Sequence, residues 1–190
     1  KHNLSIYRDG TIRFDATNAP LTHFRPNQID TSIKDLIKKG YKFDIHGEPL
    51  KEDNQILELF VQDIIIPEIS IKHLLDTSKF IDELLVKFYN NDSYYNLDTK
   101  EDLLGHLVIG LAPHTSVGII GRIIGFTSSY VCFAHPFWHS AKRRDCDGDE
   151  DAIILLLDVL LNFSKEYLPT QIGGLMDAPL QIQPIIIPKE

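Results

Sequence analysis

Between Val117 and Phe133, three glycines (Gly118, Gly121 and Gly125) interrupt a run rich in isoleucine and valine. No other stretch narrows the choice of fold as much. β-Branched residues favour strands, and a glycine inside a strand marks a tight bend or the close approach of another backbone. Strands bent in this way suggest a small barrel. Farther along, Ala152–Phe163 is so uniformly apolar that it must be buried, and it is predicted to be a short strand running into a helix that ends near Lys165. The chain has 190 residues, 43% of them apolar, so it is long enough for one sizeable domain, or one domain with a large insertion.

The remaining elements follow from local signals. Residues 4–7 and 11–14 alternate around Arg8-Asp9-Gly10 and are predicted to form a β-hairpin. Ser32 and Asp35 resemble a capping box for a short helix carrying Ile33, Leu36 and Ile37, stopped by Gly40. A turn is expected at His46-Gly47-Glu48-Pro49 and a strand at Ile56–Val61, with Pro67 ending that segment. The clearest helix is Ser70–Phe88, with Leu74, Ile81, Leu84, Leu85 and Phe88 on one face, followed by a loop at Asn90-Asn91-Asp92-Ser93. Thr99 and Asp102 cap a short helix near Glu101, a strand spans Leu107–Leu111, and Pro113 breaks it. Gly173-Gly174 reads as a turn, and Leu180–Ile187 as a last strand interrupted by Pro184.

Charge and composition exclude several classes. A formal net charge of −8 argues against a protein that coats nucleic acid, because such proteins replace phosphate counterions with Lys and Arg. Any nucleic-acid role must then be local. Apolar runs such as Ile64–Ile66 and Ile153–Leu157 fall far short of the roughly 20 residues that span a bilayer, and Lys1 opens no leader pattern. We therefore expect a soluble, cytoplasmic protein with no membrane partner. Cys132 and Cys146 form no C-x-x-C unit, so a thiolate zinc site and a disulfide framework are not indicated.

The chemistry concentrates in KRRDCDGDED, residues 142–151. In an extended segment Asp145, Asp147 and Asp149 would project to one side, where Asp151 could join them, and Cys146 and Gly148 to the other. Like charges about 6 Å apart at an effective dielectric near 20 cost roughly 3 kcal/mol per pair, so such a loop must take up protons or hold a cation. Oxygen-only donors favour Mg²⁺, with Mn²⁺ also suitable, and Gly148 lets the chain bend so that Asp147 and Asp149 share one ion. Phosphoryl transfer uses such a site, with the carboxylates as ligands rather than bases. Lys142, Arg143 and Arg144 are placed to contact a nucleic-acid backbone or a triphosphate. Two other readings stand beside this one. An EF-hand fails, because its required glycine and final glutamate fall at Glu150 and Leu156; a solvated acidic turn without metal remains open.

Other candidates are weaker. His135 and His139 have i, i+4 spacing, but Pro136 lies between them and no H-E-x-x-H arrangement is present. His106, His114 and Arg122 lie in or near the glycine-punctuated region, and His114 and Arg122 could face the loop if a barrel closes. No G-K-[ST] follows Gly118–Gly125, so this is not a P-loop.

Several separated segments together resemble one family. DATNAPLTHFRP at 15–26, LVIGLAPHTSVGIIGRIIGF from Leu107, AHPFWHSAKRRDCDGDED ending at Asp151, and GGLMDAPL at 173–180 closely resemble the large subunit of archaeal family D DNA polymerases. The loop D-C-D-G-D at 145–149 also resembles the metal loop in the largest subunit of multisubunit RNA polymerases. The resemblance implies an α+β fold: a double-psi β-barrel, one half of a two-barrel polymerase core, with inserted and flanking helices. It implies one catalytic-barrel domain over 1–190, a helical insertion at about 68–105 and the metal loop at 142–151. Asp147 and Asp149 would be the Mg²⁺ ligands of DNA synthesis. Asp145 stands where the resemblance leads one to expect asparagine, and could add a third ligand. The implied partners are primer-template DNA and deoxynucleoside triphosphates, the rest of the large subunit with its second barrel, a small exonuclease subunit and a sliding clamp. The family's subunit is far longer than 190 residues, which suggests a fragment, a split-gene product or an excised domain, inactive in isolation. The contrasting reading is a scaffold barrel that docks another subunit or nucleic acid.

Overall fold

Strands buried on two sides organise the chain. A computed structural model describes residues 1–7, 10–113, 115, 117–161 and 181–188. It is a mixed α+β structure. Its large sheet contains β1 (Phe14–Pro20), β4 (Asp63–Pro67), β5 (Leu107–Leu111), β6 (Val117–Thr127), β7 (Val131–Ala134), β8 (Glu150–Leu155) and β9 (Gln181–Gln183), in the order β4-β7-β1-β8-β5-β6-β9. Because β6 also pairs with β4, the six strands from β4 to β6 close on themselves, and β9 lies beside the first residues of β6. Two of the contacts in this ring, β1 with β7 and β4 with β6, are parallel, and the rest are antiparallel.

Alternation along the strands divides the core. Ile64, Ile66, Val108, Ile123, Ile153 and Leu155 join one buried cluster, which helix α2 (Ile69–Lys87) covers with Leu74, Ile81 and Leu85. Their neighbours point the other way. Ile65 and Ile124 pack against Phe24, Leu36, Tyr41 and Leu57 of the segment 21–59, and Ile109, Leu111, Ala152 and Ile154 form a third cluster. That segment carries β2 (His23–Phe24), helix α1 (Ile33–Lys38) and β3 (Leu57–Glu58). Burial on both faces explains why these strands read as nearly continuous apolar runs rather than as alternating ones.

The glycines do what their positions require. A Cβ on Gly125 would meet the Ile29 carbonyl oxygen at 2.7 Å. One on Gly110 would strike Trp138 at 2.3 Å, and one on Gly121 would meet the same indole at 3.1 Å. Trp138 belongs to helix α3 (Pro136–Ala141), and its Nε1 donates to the Ile120 carbonyl at 3.1 Å. Glycine thus creates the slot in which the indole sits.

Several expected elements form as read: the α1 helix, with Ser32 Oγ accepting from the Asp35 amide, the long helix, the strand at Leu107–Leu111, and the strand-to-helix passage into α4 (Leu156–Leu161). Others need correction. Among the described residues of 4–14 no hairpin of strands forms; the Tyr7 amide donates to the Thr11 carbonyl, and regular pairing starts at Phe14. The strand expected at Ile56–Val61 shrinks to Leu57–Glu58, because the chain turns at 61–62 and the long pairing with β6 begins at Asp63. Phe88 is 72% exposed rather than part of the core stripe, which closes instead with buried Ser70, Thr77 and Ser78. Their hydroxyls donate to carbonyls three or four residues back, which makes their burial tolerable. The helix end near Lys165 and the Gly173-Gly174 turn fall outside the described residues.

Gly110→Ala is expected to lower stability by about 3 kcal/mol or more, since the added methyl must displace a packed indole. Gly47→Ala, in open space with a φ of +80°, should cost only about 1 kcal/mol. Chemical denaturation compares the two; an equal or smaller loss for Gly110→Ala would mean that Trp138 is not seated in its slot.

Candidate active site

The acidic loop joins α3 to β8, and its two flanks differ in character. His135 Nδ1 accepts from the Phe137 amide at 3.2 Å and caps α3 ahead of Pro136, which suits a first helical position. His139, one turn on, is buried; its Nε2 lies 3.0 Å from the Ala19 carbonyl, which requires the Nε2-protonated ring and leaves Nδ1 without a partner. Burial, helped by the nearby Lys142 charge, pushes its pKa down to about 4. The i, i+4 histidine pair is therefore a cap and a buried strut, not a pair of metal ligands.

Lys142 was expected to face nucleic acid, and the structure corrects this. Its side chain is 0% exposed. The ammonium donates to Asp151 Oδ2 at 2.5 Å and to Asn18 Oδ1 at 3.3 Å, and lies 4.1 Å from the centre of the Trp138 ring. Burial pulls its pKa down while Asp151 opposes that shift. Asp151, also buried, accepts a second charged bond, from Arg144 Nε at 2.6 Å on Oδ1. A buried ammonium is tolerable only with such a partner, because an unpaired one would be strongly disfavoured. Cys132 lies beside this pair, and burial pushes its thiol up to about 12, so it is an inert core residue.

Arg144 continues outward along the loop. Its Nη1 donates to Asp149 Oδ2 at 3.1 Å and its Nη2 to the Glu150 carbonyl at 2.9 Å. Burial works against the guanidinium charge, but Asp151, then Asp149 and Asp147, outweigh it and raise the pKa. Asn18 of β1 holds the same stretch from the other side: both its backbone and side-chain nitrogens donate to the Asp149 carbonyl, at 3.2 and 3.4 Å. Asn18 and Trp138 are the supporting residues that sequence reasoning passed over. The available signal for Asn18 was a polar side chain in the middle of DATNAP.

Asp145, Asp147 and Asp149 are exposed, and Asp149 alone of the three is ion-paired among the described residues. The loop is not extended; it bends at Asp147 and Gly148, where φ is +105°. The expected convergence of carboxylates is accordingly not seen, and among the described residues no three His, Cys, Asp or Glu side chains gather closely enough to hold a metal. Repulsion is relieved by a means not anticipated, namely the loop's own Arg144. The donor set still fits a hard divalent ion, since carboxylate oxygens at 145, 147 and 149 stand in solvent around the bend at Gly148.

Arg143 is exposed, as expected of a residue free to meet an anion. Arg122 is not at the loop: its Nε and Nη2 hold both oxygens of Asp63 at 2.7 Å, and Nη2 also reaches the Lys39 carbonyl. Tyr41 adds a hydroxyl bond to Asp63, so this cluster ties β4 and β6 to the segment 21–59. His106 is half-buried against Tyr95, and His114 lies outside the described residues.

The class of protein this defines is a mixed α+β domain presenting an aspartate loop that is tethered at both ends by buried charge. Residues 1–190 match the family described as DNA polymerase II large subunit DP2, catalytic domain, and the chain belongs to that family. It is 54% identical over its whole length to the DNA polymerase II large subunit of Methanococcus maripaludis strain S2, 55% to that of Pyrococcus furiosus and 54% to that of Archaeoglobus fulgidus. It spans 17%, 15% and 17% of those chains respectively.

Lys142→Met should destabilise the chain by about 3 kcal/mol, because it breaks a buried pair and leaves Asn18 and Trp138 without their cation. Arg143→Met should stay within about 0.5 kcal/mol. Equal losses in urea unfolding would contradict the burial of Lys142. Stability should also fall below neutral pH. A histidine with a depressed folded-state pKa favours folding least once the unfolded ring protonates near pH 6.5, so His139 alone should remove about 2 kcal/mol between pH 7 and pH 5. His139→Gln should flatten that slope.

Proposed function

We propose that this chain is the metal-binding part of a DNA-directed DNA polymerase that extends a primer 3′ end from deoxynucleoside triphosphates. One observation carries the reading: the D-C-D-G-D loop stands in solvent, fastened by Lys142–Asp151 and Asn18, in a chain that matches a polymerase catalytic domain from end to end. Asp147 and Asp149 are the ligands of Mg²⁺, or of Mn²⁺ in its place, and Asp145 assists them. When bound, the ion would clamp phosphate oxygens and offset the charge that develops during in-line displacement. The chain's own residues position the loop: Lys142 and Asp151 fix its base, Asn18 holds the Asp149 backbone, and the bend at Gly148 lets Asp147 close toward Asp149. Arg143 is the residue free to contact a phosphate.

The barrel is proposed to be of the double-psi type, half of a two-barrel core, within a single catalytic-barrel domain whose segment at about 68–105 is an insertion. Six strands closing through mixed parallel and antiparallel pairs support this. The second barrel would lie in the rest of the large subunit, with primer-template DNA, a small exonuclease subunit and a sliding clamp as further partners, and the cytoplasm as the compartment. The named relatives are several times longer, which supports a chain that acts only within a larger assembly.

A second reading has its own observation. The carboxylates are apart and Arg144 already neutralises one of them, as in a scaffold barrel whose acidic turn is simply solvated. Manganese titration followed by paramagnetic line broadening separates the two: broadening confined to Asp145–Asp151 supports the enzyme, and none at millimolar metal supports the scaffold. In the complete polymerase, Asp147→Ala or Asp149→Ala should abolish primer extension without lowering the unfolding temperature. Near-normal extension by either variant would refute the assignment.

A further inference from the structure

Arg144 grips the loop at three consecutive residues, with Asp149, Glu150 and Asp151 each giving it an oxygen. The grip is asymmetric. At the Asp151 end the acceptor is buried and shared with Lys142, whereas at the Asp149 end the carboxylate is 57% exposed and engaged through one oxygen only. Asp149 Oδ1 has no partner among the described residues, and neither do the carboxylates of Asp145 and Asp147. A guanidinium cannot relieve the competition by losing its proton. It can only stay or move.

We infer that Arg144 is the loop's own counter-cation at the metal site: a divalent ion reaches Asp149 by exchanging with its guanidinium. This rests on the metal reading of the loop proposed above. The geometry suits an exchange rather than a rearrangement, because release of the single Nη1 bond frees Asp149 while the Nε bond to buried Asp151 keeps the arginine in place. Two effects oppose each other when the arginine is neutralised. Asp149 loses the bond that orders a short side chain, which weakens metal binding by a factor of roughly two to five. Against that, a full positive charge is removed from within a few ångströms of a doubly charged ion, a larger effect even after solvent screening. The charge term prevails, so losing Arg144 tightens the metal.

The test is binding of Mn²⁺ alone to the full chain, read from the loss of the free-ion electron paramagnetic resonance signal. Arg144→Gln should lower the Mn²⁺ dissociation constant about tenfold, and Arg144→Lys, which keeps the charge, should remain within about twofold of the unaltered protein. Adding Asp149→Asn to Arg144→Gln should cancel the gain. If Arg144→Gln leaves Mn²⁺ binding unchanged or weaker while Asp147→Asn abolishes it, the counter-cation role is overturned and the metal site stands. If Asp147→Asn and Asp149→Asn change Mn²⁺ uptake in neither background, the metal reading itself fails and takes this inference with it.

Discussion

A single ammonium group inside the protein holds the rest of the site together. Lys142 lies where an α-helix, a barrel strand and the acidic loop meet, and each contributes one face of its cage: Trp138 from α3, Asn18 from β1 and Asp151 from β8. A charge at that depth disfavours folding unless all its partners are in place. The same demand makes the arrangement specific, since no slipped register of β1 against β8 would keep Asn18 and Asp151 within reach of one nitrogen. The two glycines at 110 and 121 belong to this device, because only their missing side chains admit the indole against which the ammonium packs.

From that anchor, charge alternates outward. Lys142 neutralises Asp151, Asp151 shares itself with Arg144, and Arg144 reaches Asp149 at the surface. Buried members are paired, while the outermost carboxylates of Asp145 and Asp147 have no protein partner among the described residues. Under the proposed function, a loop built this way would separate two needs, a base held by buried charge and carboxylates left in solvent to take up an ion. It also accounts for an acidic segment whose carboxylates do not gather: a cation that pairs with one of them is already covalently part of the chain.

Much of this was legible in the sequence, and the failures have physical reasons. Strands buried on both faces announced themselves through Ile153–Leu155 and the glycine-punctuated run, because apolar content alone fixes their burial. Hydrophobic patterning found α2 to its C-cap but put Phe88 on the core face, and a pattern cannot distinguish an exposed cap residue from a core one when the chain turns away at the next loop. The acidic loop was found by composition. Its geometry was not, because alternation presumes an extended backbone and the bend at Gly148 removes that premise. Lys142 was misplaced for a related reason: a lysine beside two arginines reads as surface charge, and only long-range packing against β1 and β8 shows that it is buried. Arg122 likewise found its carboxylate, Asp63, 59 residues away.

The most direct test is an anomalous-scattering map, collected at the manganese edge, from crystals of the full chain equilibrated with Mn²⁺. The expected result is one peak within coordinating distance of both Asp147 and Asp149, with the Arg144 guanidinium withdrawn from Asp149 and the Lys142–Asp151 pair unmoved. A map with no peak between those two carboxylates, or one in which metal binding draws Lys142 out of its cage, would contradict the account.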